Sequence, residues 1–224
     1  MKLSIVVPLL NEAQELPRLL ERLSLLARHG SEVIIADGGS DDGSADIAEH
    51  AGFIVVRSAK GRARQMNAGA AQARGEVLLF LHADTQLPDE APMWIEHALA
   101  DNSAAWGRFD VRISGRHFML KVVSRLMNLR SRLTGIATGD QAMFLTRAAF
   151  DAVGGFPDQP LMEDIELSGR LLALGRPACI SRCVITSGRR WETKGVWRTI
   201  LLMWRLRWDY WRGVPARQLA EAYR

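Results

Sequence analysis

The chain has 224 residues, 48% of them hydrophobic and 24% charged, with a formal net charge of +4. That is enough apolar material for one substantial core and an ordinary charge content, which sets aside a disordered or low-complexity protein. No stretch reaches the ~20 uncharged apolar residues of a membrane-spanning helix, and Met1-Lys2-Leu3-Ser4 enters the first strand directly, so no signal peptide is expected.

The first hundred residues alternate strand and helix. A strand over 3–8 ends near Asn11-Glu12, and Leu16, Leu19, Leu20, Leu23 and Leu26 recur at helical spacing after it. Val33-Ile34-Ile35-Ala36 ends in Asp37, followed by the loop Gly38-Gly39-Ser40-Asp41-Asp42-Gly43-Ser44. A helix over 44–50, a strand over 53–56 and a helix over 61–74 closed by Gly75 come next. The run Val77-Leu78-Leu79-Phe80-Leu81 then delivers His82-Ala83-Asp84, and reads as a buried parallel strand with a carboxylate at its end. This order predicts right-handed crossovers and a mostly parallel α/β sheet, where ligands bind at the carboxyl ends of the strands. Three strands that aim polar groups at one edge imply a polar, anionic ligand that needs a metal.

The second half is less regular. We expect a helix over 89–100, a strand over 104–113, a basic amphipathic helix over 117–134 and a turn at Thr138-Gly139-Asp140-Gln141. A strand over 142–145, a helix over 147–153, a break at Gly154-Gly155-Phe156-Pro157 and a helix from Glu163 to Leu174 follow. Cys179 and Cys183 form a lone C-x3-C with no histidine cluster, which excludes a zinc site and predicts buried, reduced thiols. After residue 186, Arg189, Arg190, Lys194, Arg198, Arg205, Arg207, Arg212, Arg217 and Arg224 face only Glu192, Asp209 and Glu221. That excess fits an anionic partner such as phosphates or a lipid surface, and no nucleic acid is expected. Residues 195–212 read as a helix on which Trp197, Ile200, Leu201, Trp204, Trp208 and Trp211 share a stripe. Such a helix suits a membrane interface, the catalytic core or a second subunit of a homodimer.

Taken in order, several stations resemble the family 2 glycosyltransferases of the GT-A fold. Val7-Pro8-Leu9-Leu10-Asn11-Glu12 resembles that family's V-P-x-x-N-E, and Asp37 to Ser44 its D-D-G-S-x-D-G-S loop, with Gly38 in place of the second acid. Gly61 to Gly69 resembles G-x-x-x-A-x-N-x-G, His82-Ala83-Asp84 sits at the D-x-D station, and Gly154-Gly155-Phe156 with Glu163-Asp164 matches the G-G-F…E-D pair. Ser187 to Trp191 resembles Q-x-x-R-W without its glutamine. The H-A-D-T form and Gly139-Asp140-Gln141 are similar to a compact bacterial subgroup associated with radical-SAM and selenium proteins.

The resemblance implies a GT-A domain over 1–190, a Rossmann-like, mostly parallel sheet flanked by helices, with a C-terminal helical extension over 191–224. It implies an inverting enzyme that moves a sugar from a nucleotide-diphosphate donor, with a bias to UDP, onto an acceptor hydroxyl. Pro8, Asn11 and Glu12 would line the nucleoside pocket, Asp37 would recognise the base, and Arg62, Arg64 and Asn67 would face the donor. Asp84 would ligate Mg²⁺ or Mn²⁺, with His82 and Ala83 beside the donor. Asp164 would be the general base, with Glu163, Asp140, Arg190 and Trp191 on the acceptor side. The acceptor itself is not legible. A cytoplasmic protein, at most peripheral on the inner face of the membrane, is expected.

Residue chemistry alone leaves other roles open. Asp37 suits a turn or helix cap, and Glu12, Glu163 and Asp164 suit helix dipoles. Arg62 and Arg64 suit a solvated helix face, and Trp191 suits core packing. His82 at the metal station also fits a nucleotide-sugar-binding scaffold without turnover. A sugar nucleotidyltransferase would need a glycine-rich basic loop after strand one, where the chain has Pro8-Leu9-Leu10-Asn11-Glu12.

Overall fold

The computed structural model describes residues 1–100 and 104–223, so Arg224 lies outside the described residues. Its first half is β1 (Leu3–Leu9), α1 (Leu16–Arg28), β2 (Glu32–Asp37), α2 (Ser44–His50), β3 (Ile54–Arg57), α3 (Arg62–Gln72) and β4 (Val77–Phe80). β1 is buried along its whole length and pairs in parallel with β2 and β4, while β2 pairs in parallel with β3. Alternation along β1 divides the core. Ile5, Val7 and Leu9 pack with Leu16, Leu19, Leu20 and Leu23 of α1, while Val6 packs with Ala63, Met66 and Ala70 of α3. Helices therefore cover both faces of this half of the sheet.

The second half contains β5 (Thr85–Gln86), α4 (Ala91–Leu99), β6 (Trp106–Ile113), α5 (Met119–Thr134), a 3₁₀ turn (Gly139–Gln141), β7 (Phe144–Thr146) and α6 (Arg147–Ala152). It continues with α7 (Glu163–Leu171), β8 (Ala178–Thr186), α8 (Arg189–Lys194), α9 (Val196–Trp211) and α10 (Ala216–Tyr223). The eight strands form one mixed sheet in the order β3-β2-β1-β4-β7-β6-β8-β5. β7 runs antiparallel to β4 and β6, and β8 runs parallel to β6.

β8 departs from expectation. Its sequence, Ala-Cys-Ile-Ser-Arg-Cys-Val-Ile-Thr, breaks the apolar run with Ser181 and Arg182, so no strand pattern is visible. The strand forms because β6 and β5 supply neighbours on both sides, with a register shift at Phe109/Asp110. The expectation of buried thiols is corrected: both cysteines are free, Cys179 half-buried and Cys183 exposed, since the irregular part of β8 turns them from the core. α8 and α10 were likewise not expected, and α7 stops at Leu171 rather than Leu174.

α5 is pinned to β6 by the fully buried Arg108, whose Nε donates to Ser131 Oγ (3.1 Å) and whose Nη2 donates to the Asn128 carbonyl (3.2 Å). α9 lies beside α5, where Val196 and Ile200 share an apolar cluster with Leu120, Val123 and Met127. Leu206 of α9 and Leu219 of α10 pack on Met162, just before α7. The Trp stripe does not pack on the core: Trp197, Trp204, Trp208 and Trp211 are all exposed. Among the described residues no helix is long and apolar enough to cross a membrane.

Candidate functional site

Parallel pairing places the carboxyl ends of β1, β2 and β4 on one rim, and the loops that leave them are tied together. Asp37 is buried, and its carboxylate accepts the Gly39 N–H (2.9 Å), the Ser40 N–H (3.2 Å) and the Ser40 hydroxyl (2.5 Å). Asn11 joins this loop to the end of β1: its N–H donates to Ser40 Oγ (3.0 Å) and its Oδ1 accepts the Asp41 N–H (3.0 Å). The Glu12 N–H donates to Ser44 Oγ (3.0 Å), and its carboxylate lies 3.5 Å from Arg189. Pro8 is buried within β1.

The glycine at position 38 has a local cause. A β-carbon there would lie 2.9 Å from the Gln65 side chain. Gln65 is buried and donates to the carbonyls of Leu9 (2.6 Å) and Ala36 (3.0 Å). A glutamine from α3 thus fills the space that a second acid would need, and bridges the ends of β1 and β2. Arg62, one turn earlier on α3, lies 3.7 Å from Glu163.

The third loop, after β4, is met by the second half of the chain. His82 Nδ1 is 3.2 Å from Asp140 Oδ1, and the ring lies against Gly139, where a β-carbon would come within 2.3 Å of Nε2. The Gly139 N–H donates to Asp164 Oδ2 (2.7 Å), and Asp164 Oδ1 accepts the Ile165 N–H (2.7 Å). Asp84 is exposed; the Thr85 hydroxyl donates to its Oδ1 (3.3 Å) and the Ser187 N–H to its carbonyl (3.2 Å). Contacts therefore run from the ends of β1 and β2 through Gln65, Arg62 of α3, Glu163, Asp164, Gly139, Asp140 and His82 to the Asp84 loop.

Electrostatics separates the carboxylates. Burial, and then the neighbouring Asp164 charge, push the Glu163 carboxyl above the ordinary range despite Arg62. Burial would also raise the Asp140 carboxyl, but the His82 hydrogen bond and the charges of His82 and Arg62 together hold it below that range. Asp164 is half-buried and Glu163 fully so, so of the two adjacent acids only Asp164 reaches solvent to any extent. The three non-glycine residues with left-handed backbone among the described residues, Asn11 (φ 54°), Ala142 (φ 46°) and Met162 (φ 65°), all flank this rim. Local strain of this kind gathers at functional sites.

Other expected residues do different work. Asn67 clamps the G-G-F segment, with Nδ2 donating to the Phe156 carbonyl (2.8 Å) and Oδ1 accepting the Phe156 N–H (2.9 Å). Arg64 is committed to a two-pronged ion pair with Asp158 (2.7 and 2.9 Å). Arg190 donates to the Tyr223 carbonyl (2.6 Å) and lies 3.7 Å over the Tyr223 ring. Trp191 packs beside Ile113, Leu120 and Val196, and Ala83 against the first core cluster. No role for Gln65 or Tyr223 is legible in the sequence, and the Gly38 departure is the available signal for Gln65.

Among the described residues no group of three or more His, Cys, Asp or Glu side chains forms a ready metal cage. A single exposed carboxylate, Asp84, completed by substrate phosphates is a donor set that suits Mg²⁺ or Mn²⁺. An open groove of about 520 Å³ at the opposite rim, lined by Met1, Arg74, Glu76 and Arg147, carries none of these features.

The chain is 33% identical over 156 residues to the undecaprenyl-phosphate 4-deoxy-4-formamido-L-arabinose transferase of Pseudomonas fluorescens, a match covering 63% of this chain and 45% of that protein. The chain thus spans less than half the length of this relative. Its fold matches S. aureus TarS 1-349 (TM-score 0.67, 18% identity, 84% of this chain and 61% of that one). It also matches glucosyl-3-phosphoglycerate synthase from Mycobacterium tuberculosis in complex with Mn²⁺, UDP and phosphoglyceric acid (TM-score 0.62, 21% identity, 81% and 68%). These neighbours are GT-A glycosyltransferases, and the mixed, helix-flanked sheet is that fold. The profile of glycosyl transferase family 2 matches residues 4–153, two thirds of the chain. The chain belongs to glycosyl transferase family 2.

Proposed function

We propose that the protein is an inverting glycosyltransferase that takes a sugar from a UDP-linked donor to an acceptor hydroxyl. The observation that carries this reading is the joint between Asp164, Gly139, Asp140 and His82, which fastens the proposed base to the segment bearing Asp84. In a direct displacement the acceptor hydroxyl attacks the anomeric carbon as the diphosphate leaves, and one carboxylate takes the hydroxyl proton. Asp164 suits that task. Each of its oxygens accepts one backbone N–H, which leaves lone pairs free. Glu163, buried against Arg62, is the worse candidate. Asp84 would hold Mg²⁺ or Mn²⁺, which supplies Lewis-acid neutralisation of the leaving diphosphate. Asp37 with Pro8, Asn11 and Glu12 would form the nucleoside side, and residues 191–224 an extension that closes the acceptor side.

The structural neighbour with Mn²⁺ and UDP supports the choice of donor and metal. The relative that uses an undecaprenyl-phosphate carrier supports a peripheral place on the cytoplasmic face of a membrane, contacted through the exposed Trp stripe of α9. Membership of the radical-SAM-associated subgroup rests on the H-A-D-T and Gly139-Asp140-Gln141 signatures alone. Titration calorimetry with UDP and GDP, with and without Mn²⁺, tests the reading: metal-dependent UDP binding followed by turnover of a UDP-sugar is expected. Tight, metal-dependent binding with no turnover of any donor would establish the scaffold reading, which His82 at the metal station favours.

A further inference from the structure

α10 has a light hold on the rest of the molecule. Leu219 is its buried residue, and it sits with Met162 and Leu206 in a small apolar cluster. The other hold is at its far end, where Arg190 Nη2 donates to the Tyr223 carbonyl (2.6 Å) and the guanidinium lies 3.7 Å from the Tyr223 ring centroid. α9, by contrast, buries Val196, Thr199 and Leu206, and its Tyr210 hydroxyl donates to Glu166 Oε2 of α7 (3.1 Å). Between the two helices stands Gly213, with left-handed backbone (φ 86°). A glycine there lets the short helix turn against a fixed neighbour, and a segment with few buried contacts opens without global unfolding.

Both holds lie against the candidate site. Met162 directly precedes Glu163 and Asp164, and Ile165, whose N–H donates to Asp164, packs against the same cluster as Tyr223. Arg190 comes three residues after Ser187, whose N–H donates to the Asp84 carbonyl (3.2 Å). α10 therefore reaches from the segment of the proposed base to the segment tied to the proposed metal ligand. Burial raises the Tyr223 hydroxyl, which also feels the charges of Arg190, Arg62, Asp140 and Asp164. The Arg190 Nε is sealed from solvent with no hydrogen-bond partner among the described residues. An unsatisfied buried donor favours the open form, in which water reaches it, so this hold is balanced rather than tight.

We propose that α10 is a strap that swings about Gly213, with Tyr223 on Arg190 as its catch: closed, it shields Asp164 from water, and open, it admits the acceptor. Closing elements of this kind keep a bound donor from reacting with water and gate the entry of its partner. The inference rests on the transferase reading for what passes the strap; the catch itself does not depend on it.

Hydrogen exchange on the full chain, read by mass spectrometry, tests the catch. In the wild type the amides of α10 should exchange together and faster than those of α9. Tyr223→Ala and Arg190→Met should each speed α10 by about tenfold and leave α7 and α9 unchanged, whereas Tyr223→Phe, which keeps the ring, should match the wild type. Release of UDP from UDP-glucose or UDP-GlcNAc with Mn²⁺ and no added acceptor tests the shield. Tyr223→Ala should raise that rate roughly tenfold with KM unchanged, and Tyr223→Phe should not. Exchange of α10 as slow as that of α9, or unchanged in both Tyr223→Ala and Arg190→Met, would overturn the strap. So would faster exchange that spreads to α7 and α9, the mark of a helix that only supports the fold, or faster α10 exchange with unchanged or slower UDP release. UDP release by neither the wild type nor any variant would instead count against the UDP-donor reading, and faster α10 exchange in Tyr223→Ala would leave the catch standing.

Discussion

The two halves of the rim are built differently. On the proposed donor side, Asp37 is held by its own loop, through Gly39 and Ser40, and that loop is stapled to the end of β1 by Asn11. Around Asp164, on the proposed acceptor side, the Ile165 N–H is a local contact but the other joints span long stretches of chain. His82 meets Asp140 58 positions later, and Asn67 clamps Phe156 89 positions later. A site half that folds from neighbouring turns tolerates change elsewhere, whereas a half assembled from distant segments depends on each joint. Substitutions should therefore separate the two sides.

The largest effect is expected at Asp164. Asp164→Asn keeps an oxygen for the Gly139 N–H but removes the base, so transfer should fall by about 10²–10⁴-fold with donor affinity unchanged. An intact transfer rate would remove Asp164 from the chemistry. Asp84→Ala should abolish the gain in UDP affinity that Mn²⁺ brings, measured by calorimetry, because it deletes the single carboxylate on offer. Asn67→Ala should act on stability: two hydrogen bonds to Phe156 disappear, at about 2 kcal/mol or roughly 4–8 °C in Tm for a chain of this size. A smaller Tm change would mean that the G-G-F loop is held by packing alone.

Gly38→Asp restores the acid of the family pattern and should destabilise by about 1 kcal/mol through contact with Gln65, with Gln65→Ala relieving it in the double variant. Additive effects would show that the two positions do not compete for space. The smallest effects are in pH dependence, and they have opposite signs. The Glu163 carboxyl is raised in the fold, by burial and then by Asp164, so its favourable contribution is present at low pH and is lost as pH rises through the folded value. Glu163→Gln should thus stabilise the protein at neutral pH and change little in acid. Asp140 is lowered in the fold. Its contribution is present above the unfolded carboxylate value and is lost as pH falls through the folded one, so Asp140→Asn should flatten the acid limb of the stability profile. Identical pH profiles for the two variants would contradict this division.

Legibility in the sequence followed the same line. β1, β2 and β4 were readable because a strand buried on both faces must be apolar throughout, and the acid that ends the run marks the rim. α1 and α3 were readable from their spacing. β8 was not, because a strand supported from both sides can carry Ser181 and Arg182 where an isolated pattern would forbid them. The thiols were misplaced for the same reason. The family resemblance implies ligand-facing roles for Arg64, Asn67 and Trp191, and a motif does not reveal that Arg64 pairs with Asp158, Asn67 with Phe156, and that Trp191 packs beside Ile113.

The strands β1, β2 and β4, the acids that follow them and the family motifs are consequences of local pattern, since burial and turn chemistry act over a few residues at a time. The Gln65 plug at Gly38, the His82–Asp140 and Gly139–Asp164 joints and the exposure of the Trp stripe are tertiary. Each requires elements dozens of residues apart to meet, and only the packing of α3, α5, α7 and α9 around the sheet fixes which side chains share a space.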